Sequence, residues 1–303
     1  MRINLATAIS IGNFDAVHLG HIALIKAARK AVGSDGRVEM WSFDPPPVSL
    51  IQPERHIDRL TTLQDRISLL LDAGADEVKR IVPTQALLSK SPQEYIEEIC
   101  EQKEWDFIVE GEGFRFGKDR AGNCDTLVEL GEDFEFVPII VEGIEVALKD
   151  QAIVRASSSM VRWLLHAGRV EDASIMLGRD FSVHGVVVSG DHQGRDLGYP
   201  TANIHSIDTM LPRDGVYAGQ ATIDTNSTYP AAISIGTKPT FGDNDRVCEV
   251  HIIGYDGPMN YYNWPLTVTI SHWIRDQLRF DTKEDLIYAI DQDISHVAQL
   301  IES

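Results

Sequence analysis

Along the first half of the chain, short unbroken apolar runs alternate with segments whose apolar residues recur at helical spacing. The runs mark strands buried on both faces, the periodic segments mark helices with one buried face, and their alternation predicts a parallel sheet covered by helices. Ala6 to Ile11, Glu77 to Val82, Phe107 to Val109 and Phe134 to Val141 read as buried strands. Ile22, Leu24, Ile25 and Ala28 form one helix face, and Leu63, Ile67, Leu70 and Leu71 another. Thr62 with Asp65 caps the second of these helices, and Gly74 stands where a terminal glycine ends it. Ser91, Pro92 and Glu94 make a capping box with proline in the first turn. The segment 157 to 177 is helical and is counted with this half. The expectation is a doubly wound α/β domain.

From about Phe181 the pattern changes to short β-rich runs broken by Gly, Pro, Asn and Asp. His184 to Val188, Val216 to Ile223, Ala231 to Ile235, Cys248 to Ile253 and Leu266 to Ile270 read as strands, dense enough for a small antiparallel β-barrel. A terminal helix follows, with Thr282 as its cap and Leu286, Ile290, Ile294 and Val297 on the face that meets the barrel. The fold class is therefore α/β plus β, divided at 1–178 and 179–303.

With 303 residues the chain is long enough for two cores. Cys100, Cys124 and Cys248 lie far apart with no C-x-x-C pair, which indicates neither a disulfide framework nor a zinc site. No apolar run reaches membrane-spanning length and the start lacks a signal peptide's charge and apolar core, so the expectation is a cytoplasmic protein with no membrane partner. A net charge of −19 argues against nonspecific nucleic-acid binding, which needs clustered Lys and Arg. Any anionic ligand is then small, and a triphosphate bound by so acidic a protein calls for a divalent ion, Mg²⁺, beside helix termini and a few basic groups.

The stretch GNFDAVHLGH, Gly12 to His21, carries the chemistry of the first half. It joins the strand ending at Ile11 to a helix that starts at the histidine pair, through a turn of phosphate size. Free N–H groups and the partial positive charge of a helix start attract phosphate oxygens, and His18 and His21 can grip the same anion. An isolated H-x-x-H is also met as two unrelated surface histidines or half of a metal site. The strand before it, Gly12 in the turn and Gly20 between the histidines favour the nucleotide reading.

With these residues in place the chain resembles the prokaryotic bifunctional riboflavin kinase/FMN adenylyltransferases, or FAD synthetases, nearly end to end. The resemblance rests on GNFDAVHLGH, RLTTLQDR at 59 to 66, GFRFG at 113 to 117 and SSSMVR at 157 to 162. It continues through GYPTAN at 198 to 203, DGVYAG at 214 to 219, SIGTKPTFG at 234 to 242 and CEVHI at 248 to 252. It implies two ATP-dependent reactions, riboflavin to FMN in the second domain and FMN to FAD with release of pyrophosphate in the first.

The resemblance also implies roles for residues. In the first domain Gly12, Asn13, Phe14, Asp15 and Gly20 shape the phosphate turn, and His18 and His21 stabilise charge in adenylyl transfer. Ser157, Ser158, Ser159 and Arg162 bind the β- and γ-phosphates. Asn13 and Asp15 could instead fix the turn by side-chain to backbone bonds, and the serine run could be a helix cap with a solvated arginine. Phe114 and Phe116, with Arg275 of the second domain, match flavin contacts.

In the second domain Glu249 matches the carboxylate that takes the proton from the ribityl hydroxyl. Thr201 and Asn203 match ligands of Mg²⁺ and the ATP phosphates, with Pro200, Gly190, Gly194, Arg195 and Gly198 along the nucleotide path. Taken without the family, PTAN reads as a turn and Glu249 as a solvent-facing strand residue. Thr237, Lys238, Pro239 and Thr240 form a second matching loop. The chain departs from the family at Gly113 (usually Asn or Asp), Ala16 (usually Gly), Pro46 (often His), Asn263 (usually Gly) and Thr269 (usually Glu). These departures leave two rival readings, a riboflavin kinase with a weakened first domain and a flavin-binding regulator without turnover.

Overall fold

A computed structural model describes residues 5–189, 194, 197–205, 207–224, 227–237, 246–257 and 262–301. Its contacts divide the chain into two compact units. The first comprises Met1–Ile57, Thr61–Val146 and Ile153–Ser158, and the second Asp58–Leu60, Ala147–Ala152 and Ser159–Ser303. The helical residues from 159 on thus group with the barrel, whereas the sequence reading counts them with the first half.

In the first unit the elements run β1 (Thr7–Gly12), α1 (Leu19–Val32), β2 (Arg37–Phe43), α2 (Val48–Ile51), α3 (Leu63–Asp72) and β3 (Glu77–Ile81). They continue with α4 (Gln85–Leu88), α5 (Pro92–Gln102), β4 (Phe107–Gly111), α6 (Cys124–Asp133) and β5 (Val137–Val141). The five strands are parallel in the order β3-β2-β1-β4-β5. Leu24, Ile25 and Ala28 of α1 and Leu70 of α3 pack on one face with Ala8, Val38, Met40 and Val109. Tyr95, Ile96 and Ile99 of α5 and Leu127 and Leu130 of α6 pack on the other with Ile9, Ile11, Trp41 and Ile108. This is a doubly wound sheet. Both expected capping boxes are present, Thr62 with Asp65 and Ser91 with Glu94, and Asn123 with Thr126 makes a third.

Two strands read as buried are half-solvated edges. The expected Glu77 to Val82 segment is β3, with Glu77, Lys79 and Arg80 exposed, and the Phe134 to Val141 segment shortens to β5 because Phe134 caps α6. Strand β2 escaped the sequence reading because Glu39 and Ser42 interrupt its apolar run, although both are buried. Their burial is satisfied locally, with Lys103 Nζ 2.6 Å from Glu39 and Arg66 donating to Ser42 Oγ at 3.2 Å.

A short ribbon, β6 (Glu145–Ala147) with β7 (Ile153–Arg155), precedes α7 (Ser158–His166) and α8 (Val170–Leu177). Gly168, at φ 75°, breaks what the sequence reads as one helical segment. The second unit's barrel consists of β8 (Phe181–Val188), β9 (Ala202–His205), β10 (Gly215–Asp224), β11 (Ser227–Thr237), β12 (Arg246–Ile252) and β13 (Pro265–Arg275). It closes in the order β10-β11-β12-β9-β8-β13, every pair antiparallel. The closing pair of β10 and β13 depends on Gly219, where a Cβ would stand 1.9 Å from the Thr269 carbonyl oxygen. Asn263 takes φ 66°, so the turn that glycine usually serves survives, as asparagine's tolerance of that region predicts.

Strand β9 corrects the reading of PTAN as a turn. Its four residues are too few to show a period in sequence, yet they pair with β8 on one side and β12 on the other. The final helix α9 (Lys283–Ile301) lies against β10, β11 and β13, with Val297 fully buried.

Candidate active sites

The strand order of the first unit reverses between the adjacent β1 and β4, with β2 and β3 laid out on one side and β5 on the other. Such a switch point opens a crevice at the carboxyl ends of the strands, where ligands bind in doubly wound folds. The carboxyl end of β1 is Gly12 and that of β4 is Gly111, so GNFDAVHLGH and the GFRFG loop both issue from it.

The phosphate turn is held under strain. Phe14, Ala16 and Val17 take φ of 47°, 76° and 44°, a region costly for residues with a Cβ. The family's preference for glycine at 16 thus has a conformational cause. The strain is offset by bonds to the RLTTLQDR segment: Asp15 Oδ1 accepts from the Thr61 amide at 3.0 Å and its hydroxyl at 2.9 Å, and Thr61 Oγ1 accepts from the Ala16 amide at 3.1 Å. The buried Arg66 guanidinium stands 4.0 Å from Asp15 and 3.9 Å from Asp44. Asp15 therefore braces the turn, the structural alternative the sequence left open, whereas the side chain of Asn13 is exposed.

His18 is the N-cap of α1. Its Nδ1 accepts from the Gly20 amide at 3.1 Å, which places a proton-bearing Nε2 away from the helix. His21 stacks on it with ring centroids 3.7 Å apart, and Phe14 meets His21 edge-on at 5.3 Å. Capping and anion binding are compatible here, because the cap uses one nitrogen only. Ser158 Oγ donates to the Asp15 carbonyl at 2.7 Å, bringing the serine run to the same turn. Ser157 belongs to this unit, while Ser159 and Arg162 fall in the second, where Arg162 Nε donates to the Asp58 carbonyl at 2.6 Å.

Beyond β4, Phe114 stacks on Phe116 at 5.2 Å and Phe116 meets Tyr95 at 5.9 Å. Phe116 is a core residue and Phe114 lies half-exposed above it. Among the described residues a Cβ at Gly113 would meet only Arg155, at 3.9 Å. The neighbouring Glu112 is paired to Arg155 at 2.6 Å and to the Gly143 amide at 3.3 Å.

In the second unit a cavity of about 470 Å³ opens between the outer surface of the barrel and α9. Alternation along β12 sends Cys248, Val250 and Ile252 into the barrel and Glu249 and His251 into this cavity. The register sets Glu249 directly opposite Asn203, so the carboxylate and the amide sit side by side on adjacent strands. Thr201 and Gly194 also line the cavity. Burial in the barrel pushes the Cys248 thiol up to about 12, which leaves it an inert core group.

Sequence reasoning missed three residues of this cavity. His251 Nδ1 bonds the Pro200 carbonyl at 2.9 Å and so ties PTAN to β12. Tyr199 meets the His251 ring edge-on at 5.9 Å and donates its hydroxyl to Asp291 of α9. Asp293 receives Arg275 in a two-point pair, Nε to Oδ1 at 3.0 Å and a terminal nitrogen to Oδ2 at 2.7 Å. Arg275 lines the cavity, yet its guanidinium is engaged with the helix. Gly198 takes φ 91°, and Gly194 accepts from the Tyr199 amide at 2.7 Å, which closes the approach to Pro200. Thr237 lines the cavity. Gly190, Arg195, Lys238, Pro239 and Thr240 lie outside the described residues.

Comparison with known proteins follows the same division. A family model described as FAD synthetase matches residues 2–156, and one described as riboflavin kinase matches residues 177–301. A bifunctional riboflavin kinase/FMN adenylyltransferase of Buchnera aphidicola subsp. Schizaphis graminum is 33% identical over 98% of this chain and 94% of its own. That of Escherichia coli K12 is 30% identical over 94% of this chain and 90% of its own. A solved structure described as a macrolide-efflux protein from Streptococcus pneumoniae covers 97% of this chain and 94% of its own at 26% identity, with a TM-score of 0.84.

Proposed function

The chain belongs to the bifunctional riboflavin kinase/FMN adenylyltransferase family, and on that premise we propose how its residues divide the work. The enzyme makes flavin cofactors: ATP phosphorylates riboflavin to FMN, and ATP then adenylylates FMN to FAD with release of pyrophosphate. Residues 1–178 carry the adenylyl transfer and 179–303 the phosphorylation. The observation that carries the residue assignment is the cavity in which Glu249 and Asn203 stand paired across β12 and β9 with Thr201 beside them.

In the kinase reaction Glu249 takes the proton from the terminal ribityl hydroxyl while that oxygen attacks the γ-phosphorus and ADP leaves. The hydroxyl of Thr201 and the amide oxygen of Asn203 would hold Mg²⁺. A set of two neutral hard oxygens fits a small cation that keeps water and phosphate oxygens as its other ligands. When bound, the ion neutralises charge on the nucleotide phosphates. His251 and Tyr199 keep PTAN in register with the base. The apolar wall from Leu286, Ile290 and Ile294 covers the flavin ring.

In the adenylyl transfer an FMN phosphate oxygen attacks the α-phosphorus of ATP in line, and pyrophosphate leaves opposite. No covalent intermediate is needed. The start of α1, the Nε2–H of His18 and the stacked His21 stabilise the charge that grows on the phosphates, acting as preorganised donors. Gly12, Gly20 and Ser158 set the turn's shape, and Arg162 with the serine run binds the outer phosphates. Phe114 and Phe116 flank the flavin ring.

No helix of the described residues is long and apolar enough to cross a membrane, and the efflux named for the Streptococcus pneumoniae structure is not carried to this chain. The enzyme works in the cytoplasm on small molecules, without nucleic acid. The test is direct: purified protein is incubated with riboflavin, ATP and Mg²⁺, and riboflavin, FMN and FAD are separated over time. FMN followed by FAD is expected, FMN alone would leave only the kinase, and no conversion would reduce the protein to a flavin binder.

A further inference from the structure

A single row of paired residues crosses the kinase cavity on the outer face of the barrel. Asn203 of β9 pairs with Glu249 of β12, Glu249 with Ser234 of β11, Ser234 with Val216 of β10, and Val216 with Arg275 of β13. All five line the cavity. Residues directly opposed across strands share one face of the sheet, so the row marks positions about 4.8 Å apart. Its two ends differ in chemistry. At β9 stand the hard oxygens of Thr201 and Asn203, whereas β10, β11 and β13 lie against α9, whose Leu286, Ile290 and Ile294 face the cavity.

This order dictates how a substrate made of a polyol chain on an apolar ring must lie. With the terminal hydroxyl at Glu249 and the ring under α9, the ring begins near Val216, two strand spacings or about 10 Å from the base. The middle of the polyol then crosses β11 at Ser234. The surface is shallow there, because Ala232 and Gly236 are the neighbours of Ser234 on the same face of the strand.

The Ser234 hydroxyl is also held ready to donate. Its Oγ accepts from Gln277 Nε2 at 3.2 Å, and the same nitrogen donates to the Ile235 carbonyl at 3.0 Å. A carbonyl oxygen can only accept, so the second bond fixes which end of the Gln277 amide meets β11. Gly236 makes the room, since a Cβ there would stand 2.3 Å from both polar atoms of that amide. Among the described residues, neither the Ser234 proton nor Gln277 Oε1 is taken by a protein partner. A donor and an acceptor thus stand together between the base and the apolar wall, complementary to a chain of secondary hydroxyl groups.

We propose that Ser234, pinned by Gln277, is a substrate-binding residue of the kinase site whose hydroxyl donates to a secondary hydroxyl of the ribityl chain. The proposal rests on placing riboflavin phosphorylation in the barrel. It makes the site selective for a hydroxylated chain over an alkyl chain of the same length, because a deoxy chain leaves the serine donor without its acceptor.

Riboflavin and its 2′-, 3′- and 4′-deoxy analogues are compared as kinase substrates of the wild type, Ser234→Ala and Gln277→Leu. In the wild type at least one analogue should lose about 5–10-fold in kcat/KM, the worth of one neutral hydrogen bond, with KM for ATP unchanged. Ser234→Ala should lose a similar factor on riboflavin and nothing further on that analogue, since both changes delete one interaction. Gln277→Leu should show a smaller loss with the same preference among analogues. Losses that multiply for every analogue in Ser234→Ala, or a change confined to KM for ATP, would overturn the proposal. So would equal kcat/KM for riboflavin and all three analogues in the wild type, a comparison that holds even if Ser234→Ala does not fold. Failure of the underlying assignment reads differently: Glu249→Ala that kept its kinase rate would move the reaction out of the barrel. Calorimetric titration of riboflavin and the analogues into wild type and Ser234→Ala would then decide whether Ser234 binds the chain.

Discussion

On the proposed assignment the two units would meet phosphates by opposite means. In the sheet the donors are largely backbone: a helix start, a turn forced through three positive φ values, and a histidine whose ring completes the helix end. In the barrel the groups are side-chain oxygens, the Thr201 hydroxyl and the Asn203 amide for the metal and nucleotide, with the base Glu249 set opposite Asn203 by antiparallel register. A site made of backbone fails when its turn loses shape, whereas a site made of side chains fails when one group is removed. Mutations should sort accordingly.

The sharpest test removes the barrel's carboxylate. Glu249→Ala should cut FMN formation by about 10²–10⁴-fold, the range for loss of a general base, and leave conversion of supplied FMN to FAD intact. Product separation from riboflavin and from FMN in parallel reads both activities, and near-normal kinase turnover would refute the assignment.

In the sheet the two histidines should behave differently despite their stacking. His21→Ala should reduce FAD synthesis by about 10²–10³-fold with little change in melting temperature. His18→Ala should lose comparable activity and also about 1 kcal/mol of stability, because it removes the cap. His18→Asn keeps a capping side chain, so it should regain the stability without the activity. Equal melting temperatures for His18→Ala and His18→Asn would show that the cap contributes nothing.

A smaller effect is expected at the loop where the chain departs from its family. A Cβ at Gly113 makes only an ordinary contact with Arg155 among the described residues, and the adjacent Glu112 is occupied by Arg155 and Gly143, so Gly113→Asn can restore a polar group. FAD synthesis should rise about two- to five-fold, the worth of one modest hydrogen bond. Steady-state kinetics with FMN that showed slower transfer would mean that the glycine is an adaptation.

Glu110 and Ala16 test stability alone. Because burial raises the Glu110 carboxyl, the folded state binds its proton more tightly than the unfolded chain, and stability falls as pH rises from about 4.3 toward the folded value. Glu110→Gln should therefore melt higher than wild type at pH 7 and match it at pH 4, and melting curves that stay parallel across this range would contradict the burial argument. Ala16→Gly relieves a left-handed alanine worth about 1–2 kcal/mol and loses about 0.4–1 kcal/mol through the freer unfolded chain. Thermal unfolding should show a net gain of about 0.5–1 kcal/mol, and a loss would place the strain elsewhere.

What the sequence made legible was local. The caps of α3 and α5, the strand before GNFDAVHLGH and the change of pattern near Phe181 all depend on residues a few positions apart. What it hid depends on distance along the chain. The brace of Asp15 by Thr61 joins residues 46 apart, the acceptance by Glu110 from Ile11 joins residues 99 apart, and no periodicity encodes either. Strand β9 was invisible because its evidence is the pairing of its neighbours. The capping role of His18 was illegible, since histidine is not among the residues that usually announce a helix start.

Salt discriminates between the ties that hold α9 over the kinase cavity. The side chains of Arg275 and Asp293 are 23% and 10% exposed, so their pair lies largely out of reach of mobile ions, while Tyr199 and Asp291 meet at the surface. A chain of net charge −19 is itself relieved of repulsion by added electrolyte. Raising ionic strength therefore screens the repulsion between this acidic chain and the ATP anion while leaving the wall in place, and any loss of kinase rate in concentrated salt belongs to weakened local contacts with the nucleotide and not to the shape of the site that receives it.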